Sequence, residues 1–409
     1  MSKSKYFFGQ PIFSQLIGLI KKDRIEALAS EFKSDHYCKK FNTFQHLITM
    51  SYGILSGCNS LREMCTGIVS YGDKIAHCKF SYAPKRSTIS DANSNRSYKV
   101  FEACYYDLLK RYSSDLSDSR TGIISDKKIF AIDSTTFSLF QPIFECVGRK
   151  ATSGQSKGGI KSHQKLDLQM GIPVKVYNNH AREHDSVFIQ KEDFLKENEI
   201  GVFDKAYNKY SAFAKWNTQN IFFVTRLKDN AKEELVEEFE LSEATPNEVL
   251  RDAKIKLKYK EDNEIKEVEL RLVSYFDNTK NRCFYFLSNL FDLEPQQIAD
   301  LYKMRWKVEL LFKKVKQNFP LQYFYGESQN AIQIQLWCTL IVLLLVTVMQ
   351  KALKTKWAFS NLISLMQKHL FTYIKFTVFF DHMDKIIADI KFYNNKDEYI
   401  QPELEGLTS

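Results

Sequence analysis

The chain has 409 residues, 44% of them hydrophobic, 26% charged and 14% aromatic. That is ordinary globular composition, enough for a large core and two or three domains, and with 15 Gly and 8 Pro it excludes collagen-like, linker-rich and disordered classes. Against 49 acidic residues stand 58 Lys and Arg, a net +9, which permits a polyanionic partner without proving one.

The eight cysteines, at 38, 58, 65, 78, 104, 146, 283 and 338, form no CxxC pair. A zinc ribbon or dense disulfide framework is therefore not expected, and a reducing compartment is. Pro11 and Gln15 interrupt the short apolar stretch near the N-terminus, so no signal peptide is expected. The longest apolar run, Leu336 to Met349, is short for a membrane span and reads as a buried helix. The expectation is a soluble, cytoplasmic chain.

Residues 1–120 read as helical: Phe44, Leu47, Ile48 and Leu55 recur at helical spacing, as do Phe101, Tyr105, Leu108 and Leu109. Pro84-Lys85-Arg86-Ser87-Thr88 looks like a helix entry capped by Ser87 or Thr88. With Lys85, Arg86, Arg96 and Lys99 nearby, the stretch reads either as a DNA-binding helix or as a solvated face. The period then changes. Lys128 to Ile132 predicts a buried strand ending at Asp133, and Thr135 to Phe140 a second. Lys165 to Met170 and Val174 to Tyr177 follow as strands. A helix over Ser186 to Glu197, a strand Ile200 to Phe203 running into Asp204, a helix Tyr207 to Trp216 and a strand Ile221 to Leu227 complete an alternation that predicts an α/β mixed sheet flanked by helices. Residues 229–290 interrupt it with an acidic helical segment (Glu233, Glu234, Glu237, Glu238) and a hairpin, Lys254 to Lys260 and Glu267 to Val273, turning at Glu261-Asp262-Asn263. Residues 121–350 thus form a catalytic-domain candidate with a β-rich insertion, and 351–409 a helical C-terminal region.

Pro295 to Gln317 predicts one long helix. At about 100° per residue, Tyr302, Arg305, Glu309 and Lys316 share a sector about 60° wide, bordering the apolar stripe Leu301, Met304, Val308, Leu311, Phe312 and Val315. Lys303, Lys307, Lys313 and Lys314 lie on the outer surface. A single acid among six basic residues suits a metal ligand facing a phosphate, or an amphipathic helix with Glu309 paired to Arg305 or Lys313. Asp133 and Asp204, each after a short apolar strand, can converge with Glu309 on divalent cations: oxygen ligands suit Mg²⁺ or Mn²⁺, and two such ions suit in-line phosphoryl displacement. Either Asp can instead be a cap or turn residue.

The spacing Tyr302-x2-Arg305-x3-Glu309-x6-Lys316 resembles the YREK signature of the insertion-sequence-four family of DDE transposases. The separations 204 − 133 = 71 and 309 − 204 = 105 fit that family, in which a β insertion separates the second Asp from the Glu. Asp133-Ser134-Thr135, Asp204-Lys205-Ala206-Tyr207, Gly158-Gly159-Ile160-Lys161-Ser162-His163 and His184-Asp185 resemble its other segments, over about residues 125–350. Ala206 stands where the second-Asp motif commonly has Gly. The resemblance implies a ribonuclease-H-like core that cuts and joins DNA. Asp133, Asp204 and Glu309 would hold two Mg²⁺, with Mn²⁺ as substitute. Tyr302, Arg305 and Lys316 would grip phosphate near the transposon's terminal nucleotide. The partners it implies are double-stranded DNA, as terminal inverted repeats and target, and a second protomer on that DNA, in a cytoplasmic, nucleoid-associated setting. A silent DNA-binding regulator and a non-joining nuclease remain rival readings; the three acids disfavour the first.

Other features are weaker. Lys254, Lys256, Lys258 and Lys260 share a strand face, where pairing with Glu267 and Glu269 is favoured over DNA contact. His180 and His184 lack a third zinc ligand. Arg149, Lys150, Lys157, Lys161 and Lys165 beside Gly154, Gly158 and Gly159 read as a mobile basic loop. Packing is favoured for Trp216 and Trp306 over stacking on a flipped base, and for Phe371, Tyr373, Phe376, Phe379 and Phe380 over a protomer interface.

Overall fold

A computed structural model describes residues 8–117, 127–139, 158–180, 185–189 and 194–386. Among them, seven helices come first: α1 (Ile12–Gly18), α2 (Lys22–Glu31), α3 (Thr43–Leu55), α4 (Leu61–Ser70), α5 (Lys74–His77), α6 (Arg86–Asn95) and α7 (Lys99–Leu116). Every residue of α3 is buried, so its hydrophobic spacing marked one side of a helix enclosed all round. The α6 helix starts at Arg86, after Lys85 and without a side-chain cap, ahead of the expected Ser87 or Thr88. Its register follows burial of Ile89 and Asn93.

Nine strands then build one sheet: β1 (Lys128–Leu139), β2 (Gly158–Asp167), β3 (Ile172–His180), β4 (Glu199–Phe203), β5 (Phe222–Arg226), β6 (Glu233–Glu238), β7 (Val249–Glu261), β8 (Glu264–Asp277) and β9 (Arg282–Ser288). Their order is β3-β2-β1-β4-β5-β9-β8-β7-β6. Strand β1 pairs antiparallel with β2 and parallel with β4, and β4 runs parallel to β5. This is the ribonuclease-H-like arrangement expected. Two expected strands around Asp133 are one: β2 pairs with β1 from Phe130 to Leu139, which carries β1 straight through the acid. That pairing also makes Gly158–Asp167 a strand, so Lys161 and Lys165 lie on β2 rather than in a mobile loop. Arg149, Lys150, Gly154 and Lys157 fall outside the described residues.

The β-rich insertion extends this same sheet, because β9 pairs antiparallel with β5. Its acidic segment is not a helix. Glu233–Glu238 is the exposed strand β6, where Glu234 and Glu237 lie opposite Lys256 and Lys254. Cross-strand charge pairing outweighs the helical preference of Glu. The β7–β8 hairpin turns at Asp262 and Asn263, with φ of 50° and 65°, as a two-residue left-handed turn requires. Lys254 meets Glu269 at 2.6 Å, and Lys258 lies within 3.7 Å of both Glu234 and Glu267. Lys254, Lys256 and Lys258 are therefore neutralised in place.

The remaining helices are α8 (Asp185–Phe188), α9 (Tyr210–Thr218), α10 (Pro295–Met304), α11 (Trp306–Asn318), α12 (Gln329–Lys351), α13 (Phe359–Lys368) and α14 (Phe376–Asp381). Of the helix expected over Ser186 to Glu197, the start is helical as part of α8 and residues 194–197 are not; residues 190–193 lie outside the described ones. The one expected over Pro295 to Gln317 is divided at Arg305, where the Arg305 N–H bonds Tyr302 O and the Val308 N–H bonds Arg305 O. Both are three-residue spacings, so the chain tightens by a 3₁₀ turn at the residue whose side chain reaches across to β1.

Helix α12 is long and apolar enough to cross a membrane by length and composition, and its apolar window is wholly buried inside the protein. Trp337, Ile341 and Leu344 share one core with Leu47 and Phe44 of α3, Phe101 and Tyr105 of α7, and Ala131 and Phe137 of β1. The C-terminal aromatics pack inward as well: Phe371 stacks on Tyr71 at 3.5 Å between centroids, and Phe376, Phe379 and Phe380 are buried. Helix α12 begins where Ser328 Oγ accepts the Ala331 N–H at 3.1 Å. Ser328→Ala is expected to lower stability by about 1 kcal/mol, read as a shift in the urea midpoint with an unchanged slope.

Candidate active site

The parallel ladder of β1 and β4 runs from Lys128↔Glu199 to Ile132↔Phe203 and stops. The next residue along each strand is an aspartate, Asp133 on β1 and Asp204 past β4. Alternation puts Asp133 on the face of Ala131 and Asp204 on the face of Val202. Ala131 packs in the core that holds Val308, Leu311 and Val315 of α11, and Val202 in the core that holds Ile298 and Leu301 of α10. Both acids are thus delivered side by side beneath the helix pair that carries Tyr302, Arg305, Glu309 and Lys316.

Arg305 joins them. Its Nη1 donates to Asp133 Oδ2 at 3.0 Å and its Nη2 to Glu309 Oε1 at 2.5 Å. Asp133 Oδ1 accepts the Ser134 N–H at 2.8 Å. Asp204 caps a 3₁₀ turn, Lys205–Tyr207, by accepting the Ala206 N–H at 3.1 Å, while its Oδ2 accepts from Arg226 Nη2 at 2.8 Å. Ala206 has no positive φ, so glycine is not required there. Arg226 and Arg305 each place their guanidinium carbon 5.8 Å from the centre of the Tyr302 ring. The buried Tyr302 hydroxyl and the Nε of both arginines find no partner among the described residues. Native interiors rarely leave such donors unmet.

Lys316 stands farther along β1, donating to Thr136 O at 3.0 Å. Lys303, Lys307 and Lys313 are exposed as expected, but Lys314 is half-buried over the Phe359 ring at 4.2 Å, and burial lowers its pKa. Trp216 packs in the core, whereas Trp306 is 54% exposed, so a packing role holds only for the first. His180 lies on β3, and His184 is outside the described residues.

Behind Asp133 lies a second acid. Asp185 Oδ1 accepts from Ser134 Oγ at 3.1 Å and meets Lys161 Nζ at 2.7 Å; His163 Nδ1 is 3.0 Å from the Tyr207 hydroxyl. The segments around His163, Asp185 and Tyr207, separate in sequence, therefore meet behind the first strand.

Burial pushes the Asp133 carboxyl up to about 6, reinforced by Glu309 and Asp204 and opposed by Ser134 and Arg305. An acid held in that state favours a cation nearby. The all-oxygen donor set is the hard kind that magnesium or manganese takes, and Asp133 and Glu309 already meet on one cationic group. Among the described residues no three acidic, histidine or cysteine side chains stand close enough to share an ion; the carboxylates are turned onto guanidinium groups instead.

Arg226 was missed from sequence. Its signal was faint: a charge closing the apolar run Phe222–Arg226, the strand that lies beside β4 in the sheet.

Residues 124–345 match the family described as Transposase DDE domain. The chain belongs to the DDE transposase-domain family. Residues 8–79 match a second family, described as Domain of unknown function (DUF4372). A "Probable transposase for insertion sequence element IS5377" from Geobacillus stearothermophilus is 26% identical over 249 residues, covering 59% of this chain and 63% of that protein. A Synechocystis protein whose name assigns it as a transposase to insertion sequence element IS4SA is 25% identical over 266 residues, 63% of this chain and 70% of that one. The chain thus spans somewhat less than two thirds of the first relative's length. A piggyBac transposase solved as a synaptic complex with hairpin DNA covers 99% of this chain and 88% of its own at 12% identity and a TM-score of 0.44, a likeness too slight to support any argument. The transposase-domain match encloses Asp133, Asp204 and Glu309, and its upper limit falls within α12.

Proposed function

We propose that this chain is a transposase of the insertion-sequence-four type, which cuts transposon-end DNA and transfers the freed strand to target DNA. The observation that carries this reading is the Arg305 bridge, which ties the first acid, Asp133, to the Glu309 of the spaced quartet. Asp133, Asp204 and Glu309 would hold two divalent ions, magnesium with manganese as substitute, and such ions supply Lewis-acid activation of the attacking and leaving oxygens in an in-line displacement. The protein's own residues do the rest. Tyr302, Arg305 and Lys316 orient the scissile phosphodiester. Arg305 is also placed to neutralise charge that develops during transfer. Exposed Trp306 offers a ring to a base turned out of the duplex. Residues 1–120 serve DNA binding and 121–350 the chemistry, with α13 and α14 beyond it; residues 387–409 of the expected helical C-terminal region lie outside the described ones. The working unit is a homodimer on paired ends, in the cytoplasm at the nucleoid. Retention of all three acids leaves a silent regulator without support.

The test is cleavage of duplex DNA bearing the element's flanking inverted repeats, with Mg²⁺, by wild type and Glu309→Gln. Cutting that leaves a free 3′-hydroxyl and fails in the variant while DNA binding persists is the expected result. Tight metal-independent binding with no cutting by either protein would overturn it.

A further inference from the structure

The loop between α2 and α3 is built with unusual care for an exposed connection. Arg96, only 5% exposed, follows α6 and points inward, so it is withdrawn from the basic surface that the sequence suggests. Its Nε donates to Ser34 O at 3.2 Å, and its Nη2 reaches Asp35 Oδ1 at 3.2 Å, Cys38 Sγ at 3.1 Å and Phe41 O at 2.7 Å. Its Nη1 donates to His46 Nδ1 at 2.9 Å. Burial, and then Arg96 itself, lower the His46 pKa to about 3, so that ring is neutral and can accept. Asp35 Oδ1 also takes the Thr43 N–H and hydroxyl, at 2.7 and 2.8 Å. One buried guanidinium therefore braces the loop at four points.

What the braced loop presents is cationic. Lys33, His36, Lys39 and Lys40 line a groove of about 650 Å³ between the loop and α6, where Asp91 is the one acid among the lining residues. None of the three lysines has an ion-pair partner among the described residues, in contrast to the lysines of the β7–β8 hairpin. Tyr37 stands 93% exposed. Lys33, with φ of 50°, is the left-handed residue that ends α2, its N–H on Ser30 O and the Ser34 N–H on Ala29 O, whereas Tyr37 holds φ of 65° inside the loop, a conformation that costs a side-chain-bearing residue energy. A merely solvated loop does not need such a brace. Three unpaired lysines, a histidine and an exposed ring fixed beside a groove match a nucleic-acid backbone, which takes lysines as point charges.

We propose that the α2–α3 loop is a duplex-DNA docking site, gripping backbone phosphates with Lys33, Lys39 and Lys40 and separate from the acid cluster. This rests on the reading of the chain as a DNA-processing enzyme, and it assigns a role to a surface of the segment matching the family of unknown function.

The experiment measures binding of the full chain to a duplex of about 30 base pairs of generic sequence in EDTA, across a salt series. Lys33→Gln/Lys39→Gln/Lys40→Gln should weaken binding about 10-fold or more and reduce the slope of log K against log salt by about 2–3. Each single variant should reduce it by about 1. A control triple, Lys354→Gln/Lys356→Gln/Lys368→Gln, removes equally exposed charge from the region around α13 and should change the slope far less. Because all three loop lysines are exposed, thermal unfolding should be unchanged; if the triple unfolds, the single variants decide. Equal slopes for the loop and control triples overturn the docking site while leaving cutting by the acid cluster untouched. No DNA binding by wild type overturns both readings.

Discussion

Asp133→Asn should abolish cutting and at the same time make the metal-free protein more stable. Cleavage is expected to fall about 10³-fold, the scale of losing a group that stabilises the transition state. The stability gain follows from the acid's setting. Burial lifts its carboxyl from an ordinary 3.8 to about 6, so the folded chain disfavours the carboxylate. A raised carboxyl contributes stability that is full below about pH 4 and is lost as pH rises through about 6. Asparagine does not titrate and keeps an oxygen for the Ser134 N–H. The variant should therefore match wild type near pH 4 and exceed it by about 1–3 kcal/mol at pH 8 in EDTA. Urea unfolding at the two pH values checks this. A variant no more stable than wild type at pH 8 would mean that the acid is not under strain.

Arg305→Ala should act in the opposite direction. It strips Asp133 and Glu309 of the cation they share, and their side chains are only 20% and 32% exposed. Complete burial would make such a loss cost about 3–5 kcal/mol; with this much solvent contact, about 2 kcal/mol at pH 8 is expected. Adding Mg²⁺ should return more stability to this variant than to wild type, because an ion then replaces the guanidinium between the two acids. Cutting should stay low even with Mg²⁺, since the ion cannot orient the phosphodiester as Arg305 does. Unfolding curves with and without Mg²⁺, beside a cleavage assay, separate the two roles. Equal recovery by both proteins would count against the shared cation.

Much of this site could be read before the structure. Short apolar runs before Asp133 and Asp204 announced strands that deliver acids, although β1 continues past Asp133, and the fixed gaps from Tyr302 to Lys316 announced a shared face, which the structure spreads over α10 and α11. Local patterns like these survive because burial and helical period are written into neighbouring residues. Pairing between distant segments is what stayed hidden. Nothing near Glu234 and Glu237 says that Lys256 and Lys254 will lie across from them, so helical propensity pointed the wrong way. Arg226 looked like the polar end of a strand until Asp204 was seen beside it. Arg96 counted as surface charge because its acceptors lie on a loop some sixty residues earlier. The division at Arg305 was equally illegible, since its backbone tightens at the point where its side chain crosses to β1.

Strand β6 carries one more consequence. An open sheet of nine strands ends in backbone that can recruit another strand, and such borders invite aggregation. The β6 border bears Glu233, Glu234, Glu237 and Glu238, all exposed. A second molecule approaching edge to edge would bring a like-charged row against them, so these glutamates keep the sheet from growing. The acids that sequence alone assigns to a helix act here as a guard against self-association.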